Sequence, residues 1–81
     1  MFGLFKKSYE SEMADYDQEA KRLGPKIAAA MQSFDIMGQM TLVDKLNELT
    51  EKRIDCCKRH GKLENMSYWI SIGARGKELR G

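Results

Sequence analysis

The sequence predicts a small all-α protein: a helical hairpin or three-helix bundle with a long, kinked first helix, completed by homo-oligomerisation. Apolar residues recur at helical spacing along most of the chain, and no two segments have the pattern of paired strands. The chain has 81 residues, and a chain of that size buries only about 60% of its unfolded surface. We therefore expect a single domain, residues 1–81, that gains stability from a second copy of itself.

The first predicted helix covers residues 8–33. Its apolar residues are spaced alternately by four and three positions, an a/d repeat of the kind that packs helices together. These residues are Tyr9, Met13, Tyr16, Ala20, Leu23, Ile27, Ala30 and Phe34. Gly24 and Pro25 interrupt the stretch, but Leu23 and Ile27 stay in register across them. One helix kinked at the proline is therefore favoured over two helices that meet at Gly24.

The second predicted helix covers residues 41–60. Gly38 gives the preceding segment the freedom to turn, and Thr41 is the expected N-cap. The apolar residues fall within one arc of about 160° around the helix. They are Leu42, Val43, Leu46, Leu49, Ile54, Cys56 and Cys57.

Arg53 and His60 project from the middle of that apolar arc. An arginine there lies at the edge of the arc with its charge in water, or it needs a counter-charge. Asp15 or Asp17 of the first helix, a carboxylate of another chain, or a bound anion would supply that charge. His60 is expected at the helix end, close to free carbonyl groups.

Residues 62–74 are predicted as a third helix or a continuation of the second. Leu63, Met66, Ile70 and Ala74 form one apolar stripe, and Tyr68, Trp69 and Ile72 cover the other side. Glycines interspersed with basic residues predict a flexible basic tail over residues 75–81. At the other terminus, residues 1–7 form an apolar and basic segment. We expect Phe2, Leu4 and Phe5 to pack on the bundle, with a weak membrane-surface contact as the alternative.

The two cysteines, Cys56 and Cys57, are adjacent, which disfavours a disulfide between them. We expect reduced thiols that pack as small buried hydrophobes in a cytoplasmic protein. Cys56 and His60 share a helix face, so a zinc site shared between copies is an alternative. Because paired C-x-x-C spacing is absent, we expect no metal or other cofactor.

The expected function is that of a non-enzymatic protein-interaction module, an adaptor, regulator or inhibitor. The net charge of +2 is too small to indicate nucleic acid, and no nucleophile–base pair indicates an enzyme. The apolar surface exceeds what two or three helices can cover, which is typical of an interface with a second copy or another protein. The expected partner interface is Tyr68, Trp69, Ile72 and Arg53. The expected oligomer seam is Tyr9, Met13, Tyr16, Leu23, Ile27 and Phe34.

An anionic ligand is the alternative, either nucleic acid or a cyclic nucleotide. It would bind the basic 52–62 face through Arg53, Lys58, Arg59 and Lys62, although acidic residues interleave with these bases. Lys62-Leu63-Glu64 followed by Trp69 resembles the helical-hairpin module of phage proteins that sequester cyclic-nucleotide signals. The resemblance covers three identities and one spacing. The preceding helix is longer than in that family, and no site residue is carried over from it.

Overall fold

The computed structural model describes residues 7–80, with only the backbone of Arg80, and this part of the chain forms three α-helices. They are α1 (Tyr9–Gln32), α2 (Ile36–Arg59) and α3 (Leu63–Arg80). The described residues contain no strand, so the predicted all-α class is confirmed. Apart from Lys7, the N-terminal segment lies outside the described residues, and the packing of Phe2, Leu4 and Phe5 stays a prediction.

Helix α1 is continuous through Pro25, as the register of the apolar stripe predicts. Its first turn is capped by the Ser8 hydroxyl oxygen, which accepts a hydrogen bond from the Ser11 N–H at 3.1 Å. The helix ends at Gln32, so the prediction that Phe34 continues the helical a/d repeat is wrong. Phe34 lies in the turn with a left-handed φ of 56°, and 85% of its surface is exposed.

The start of α2 also differs from the prediction, because the helix begins at Ile36 and not near Thr41. The Asp35 side chain is the N-cap, and its Oδ1 accepts the Gly38 N–H at 2.9 Å. Gly38 therefore lies in the first turn of α2, where a Cβ would collide with the Asp35 carboxyl group. Thr41 lies inside the helix, and its hydroxyl donates to the Met37 carbonyl at 3.0 Å.

Gly61 ends α2 and makes α3 a separate helix. Its φ is 68°, and the Lys62 N–H donates to the Cys57 carbonyl at 2.8 Å, the hydrogen bond that closes a Schellman-type helix end. Helix α3 then continues to Arg80, so it includes most of the segment predicted as a flexible tail.

The glycines of α3 serve close packing against α2. A Cβ built on Gly73 would lie 3.4 Å from Cγ2 of Thr50. One turn later, the Asn47 side-chain amide donates to the Gly76 carbonyl at 3.3 Å. Of the apolar stripe that begins at Leu63, Leu63 and Ile70 are exposed by 67% and 49%, whereas Met66 is half-buried.

The three helices run up, down and up, with α2 in the middle. The described core consists of Leu23, Ala30, Leu49, Cys56 and Cys57. In the described part of the chain, no Cα of α1 comes within 8 Å of a Cα of α3. The two outer helices therefore pack on α2 without closing over its remaining face. None of the three described helices has both the length and the hydropathy of a bilayer span.

Candidate functional site

An apolar groove of about 460 Å³ opens along α2 and α3, with Ala20 of α1 at its edge. Val43 and Leu46 contribute from α2, and Trp69, Ile72 and Leu79 contribute from α3. The groove exists because α1 and α3 both pack on α2 and, among the described residues, do not come close to each other. Its walls are apolar and open to solvent, the combination expected of a docking surface.

Arg53 forms the polar end of the groove. Only 6% of its surface is exposed, and its Nη2 lies 2.6 Å from Oδ1 of Asp17 on α1. Its guanidinium carbon lies 4.2 Å from the centre of the Trp69 ring on α3. Of the counter-charges that the sequence allows, the structure supplies Asp17. Arg53 therefore joins all three helices and is not a free anchor for a partner.

The predicted interface residues on α3 are placed differently from one another. Trp69 and Ile72 are half-buried in the groove wall, whereas Tyr68 is 58% exposed beside it. The Tyr68 and Trp69 rings meet edge to face, with their centroids 5.1 Å apart. Sequence reasoning missed Leu79, which is 81% exposed. Its spacing of seven residues from Ile72 is the signal that identifies it on the same helix face.

The predicted oligomer seam is largely used within the chain. Leu23 is buried, and the other α1 members of the seam are half-buried: Tyr9, Met13, Tyr16 and Ile27. The Tyr9 hydroxyl lies 3.7 Å from the Cys57 thiol on α2 and accepts a hydrogen bond from the Asn65 amide of α3 at 2.8 Å. The described apolar surface that stays exposed comprises the groove, the outer flank of α3, and the turn between α1 and α2, which exposes Met31, Phe34, Ile36 and Met37.

Glu12 of α1 is the polar centre of a cluster that α1 forms with the C-terminal end of α2. The Arg59 guanidinium donates to both carboxylate oxygens, at 3.1 Å to Oε1, and the Tyr16 hydroxyl donates to Oε2 at 2.7 Å. These two donors, Arg59 first, lower the pKa of Glu12 from 4.5 to about 2. Burial and the hydrogen bond to Glu12 raise the pKa of Tyr16 to about 12.

Cys56 and His60 lie next to Glu12. Burial, and then the neighbouring carboxylate, raise the pKa of the Cys56 thiol to about 11, so the group is a neutral thiol. His60 lies at the end of α2, as predicted, and its backbone N–H, not its side chain, donates to the Cys56 carbonyl at 3.1 Å. Its side-chain Nε2 lies 3.9 Å from Oε1 of Glu12. The carboxylate, thiol and imidazole are thus three metal-ligand types in one place, within 4.8 Å of one another.

The residues of the predicted basic face do not form one open anion site. Arg53 is paired with Asp17, and Arg59 binds both Glu12 and Asp55. The Lys62 ammonium lies over the Tyr9 ring, 5.4 Å from its centroid, and Lys58 is exposed. The two arginines, which are the better phosphate binders, therefore already have carboxylate partners.

Comparison with known proteins adds no functional assignment: no protein-family model, no curated protein and no solved structure matches this chain. The geometry described above therefore carries the functional argument.

Proposed function

We propose that this chain is a non-enzymatic protein-interaction module, an adaptor, regulator or inhibitor in the cytoplasm, that works as a homodimer. The observation that carries the proposal is the open apolar groove between α2 and α3. Leu79 projects at its edge with 81% of its surface exposed, and Ile72 is only half-buried. Full burial of one such side chain contributes about 1.5–3 kcal/mol, so covering the groove is strongly favourable.

A second copy of this chain is the occupant that the fold favours. The groove follows α3 from Trp69 to Leu79, a distance of about 15 Å at the rise of an α-helix. That length suits a helix better than a compact small molecule. Domains are normally built from two packed layers, and here the outer helices leave one face of α2 uncovered. A second copy related by a two-fold axis would supply the missing layer and bury the same groove on both chains.

A protein partner would then bind the outer flank of α3, which the dimer leaves exposed. Tyr68 and Ile70 are 58% and 49% exposed there. Tyrosine is among the side chains that contribute disproportionately to the central part of protein interfaces. The buried, unpaired cysteines suit a reducing compartment, which supports the cytoplasmic placement.

Binding of an anionic ligand gains no comparable support, since Arg53 and Arg59 are occupied by carboxylates. Ionic strength separates the two functions. A complex with phosphates weakens steeply between about 50 and 200 mM salt, whereas association through an apolar groove changes little.

Fluorescence of Trp69, the single tryptophan, tests the proposal directly. We expect its emission to shift to longer wavelength when the protein is diluted from high micromolar to nanomolar concentration, because dissociation exposes the groove to water. Leu79→Glu places a charge at the groove and should show the exposed emission at every concentration. Lys58→Glu, an exposed site outside the groove lining, is the control and should behave like the wild type. Emission that is independent of concentration and equal in Leu79→Glu would contradict the proposal.

A further inference from the structure

We infer that Glu12, Cys56 and His60 form a binding site for a divalent zinc ion within one chain. Glu12 is on α1, and Cys56 and His60 are one turn apart at the end of α2. Their ligand atoms all lie within 4.8 Å of one another, and the Glu12 Oε1 to His60 Nε2 distance is 3.9 Å. In a tetrahedral zinc site with bonds of about 2.0–2.3 Å, ligand atoms are about 3.3–3.8 Å apart. Small side-chain movements therefore suffice to close the site.

The chemistry of the three donors selects the metal. Thiolate sulfur, imidazole nitrogen and carboxylate oxygen together suit the borderline-soft Zn²⁺ ion, whereas Mg²⁺ and Ca²⁺ prefer oxygen ligands alone. Three protein ligands leave the fourth tetrahedral position to a water molecule. When zinc binds, the Cys56 S–H bond breaks, a Zn–S bond forms, and the proton passes to solvent.

The His60 imidazole gives an independent reason to expect a ligand. Its Nε2 atom is buried and has no hydrogen-bond partner, and no other buried side-chain nitrogen or oxygen of the described residues is in this condition. A buried polar atom without a partner is unfavourable by about 1–3 kcal/mol. Imidazole is also the most common protein ligand for metal ions. A zinc ion between Nε2 and the Glu12 carboxylate would provide the missing partner.

Neighbouring side chains hold the carboxylate ligand in place without closing the site. The Tyr16 hydroxyl donates to Oε2 of Glu12 at 2.7 Å and leaves Oε1 directed towards His60. Arg59 shares Oε1, but its side chain is 41% exposed and also binds Asp55 through Nε at 2.8 Å. The guanidinium can therefore retain Asp55 and Oε2 while Oε1 binds the metal.

Cobalt(II) titration of the reduced, full-length chain tests the inference, because cobalt occupies zinc sites and reports its ligands by colour. We expect one equivalent to bind per chain, with a thiolate-to-cobalt charge-transfer band in the near ultraviolet and the strong visible bands of tetrahedral cobalt. Zinc should abolish both. Absence of the charge-transfer band from the wild-type protein would overturn the inference.

Substitutions at the two adjacent cysteines identify the ligand. Cys57 is as deeply buried as Cys56, but its sulfur faces the Tyr9 hydroxyl at 3.7 Å. Cys57→Ser should keep the charge-transfer band, and Cys56→Ser should lose it; the opposite pattern would refute the assignment. Since Cys56 is fully buried, His60→Gln at a half-buried site provides a second test. With helical circular dichroism retained, it should weaken zinc binding by at least about tenfold, and unchanged affinity would exclude His60 as a ligand.

Discussion

Removal of the carboxylate that pairs with Arg53 should destabilise the fold more than removal of Arg53 itself. Asp17→Asn leaves a guanidinium that is only 6% exposed without its counter-charge. At an effective dielectric constant of about 20, opposite charges about 4 Å apart attract each other by about 4 kcal/mol. The Asp17 side chain is 56% exposed, so water screens part of this attraction. We expect Asp17→Asn to lower the free energy of unfolding by about 1–2 kcal/mol.

Arg53→Met replaces the guanidinium with a flexible apolar side chain, which requires no counter-charge. Replacement of a buried ion pair by apolar residues is often neutral or stabilising. Here it also removes the contact with the Trp69 ring, which contributes about 0.5–2 kcal/mol. We expect a net change within about 1 kcal/mol, smaller than that of Asp17→Asn.

Urea unfolding followed by circular dichroism measures these differences. Protein concentration must be the same for every variant, because the stability of a dimer depends on concentration. Asp15→Asn is the matched control, since Asp15 pairs with Lys7 on the surface, where both side chains are at least half exposed. Its effect should stay below about 0.5 kcal/mol. Equal effects of Asp15→Asn and Asp17→Asn, or a larger effect of Arg53→Met, would refute this account of Arg53.

Three further predictions concern the polar centre and the helix ends. In the presence of a chelator, the stabilisation by ionised Glu12 should be complete above pH 4.5 and lost as the pH falls towards 2, because the folded state lowers the pKa of this group to about 2. Acid unfolding of Glu12→Gln should lack this part of the loss of stability. Identical acid-unfolding curves of the variant and the wild type would contradict the prediction. Gly61→Ala should cost about 1–2 kcal/mol in urea unfolding because φ is 68° there, and Gly61→Asn should cost less since asparagine tolerates this conformation; equal costs would argue against a left-handed residue at this helix end. Asp35→Ala should cost about 0.5–2 kcal/mol as the loss of an N-cap, whereas Thr41→Ala should cost less; the reverse order would place the start of α2 near Thr41.

The periodicity of the sequence was sufficient to predict the helical class and the continuity of α1. Leu23 and Ile27 keep their register across Pro25 because the proline is on the exposed side of the helix, where its missing N–H bond does little harm. The sequence allowed two placements of Arg53, with its charge in water or paired with a carboxylate, and the structure has the paired one, with Arg53 only 6% exposed. Which carboxylate pairs with Arg53 depends on how α1 is aligned with α2, and the sequence pattern does not determine this alignment.

Local signals failed in two places, one decided by a competing local cap and the other by tertiary contacts. Gly38 has the propensity of a turn and Thr41 that of an N-cap. The helix is instead capped by Asp35, earlier in the chain, so both residues lie inside α2. Gly73 and Gly76 have the pattern of a fraying end, yet they face α2 closely. No property of either residue alone distinguishes these two roles.

The cluster around Glu12 shows the same limitation at the candidate metal site. Cys56 and His60 are four residues apart and could be paired from the sequence. Glu12 is more than forty positions away along the chain and joins them only because a short turn sets α1 antiparallel to α2. Within the acidic stretch of the first helix, no local signal distinguishes Glu12 from its neighbours.

Sedimentation equilibrium of the wild-type chain, compared with Leu79→Glu, tests most directly whether a second copy covers the groove. At micromolar concentration we predict a wild-type mass of twice the 9.3 kDa of one chain, unchanged between low and moderate salt. Leu79→Glu should sediment as a single folded chain, with its helical circular dichroism retained. A wild-type protein that remains at 9.3 kDa throughout the micromolar range would contradict the proposed dimer and the function built on it.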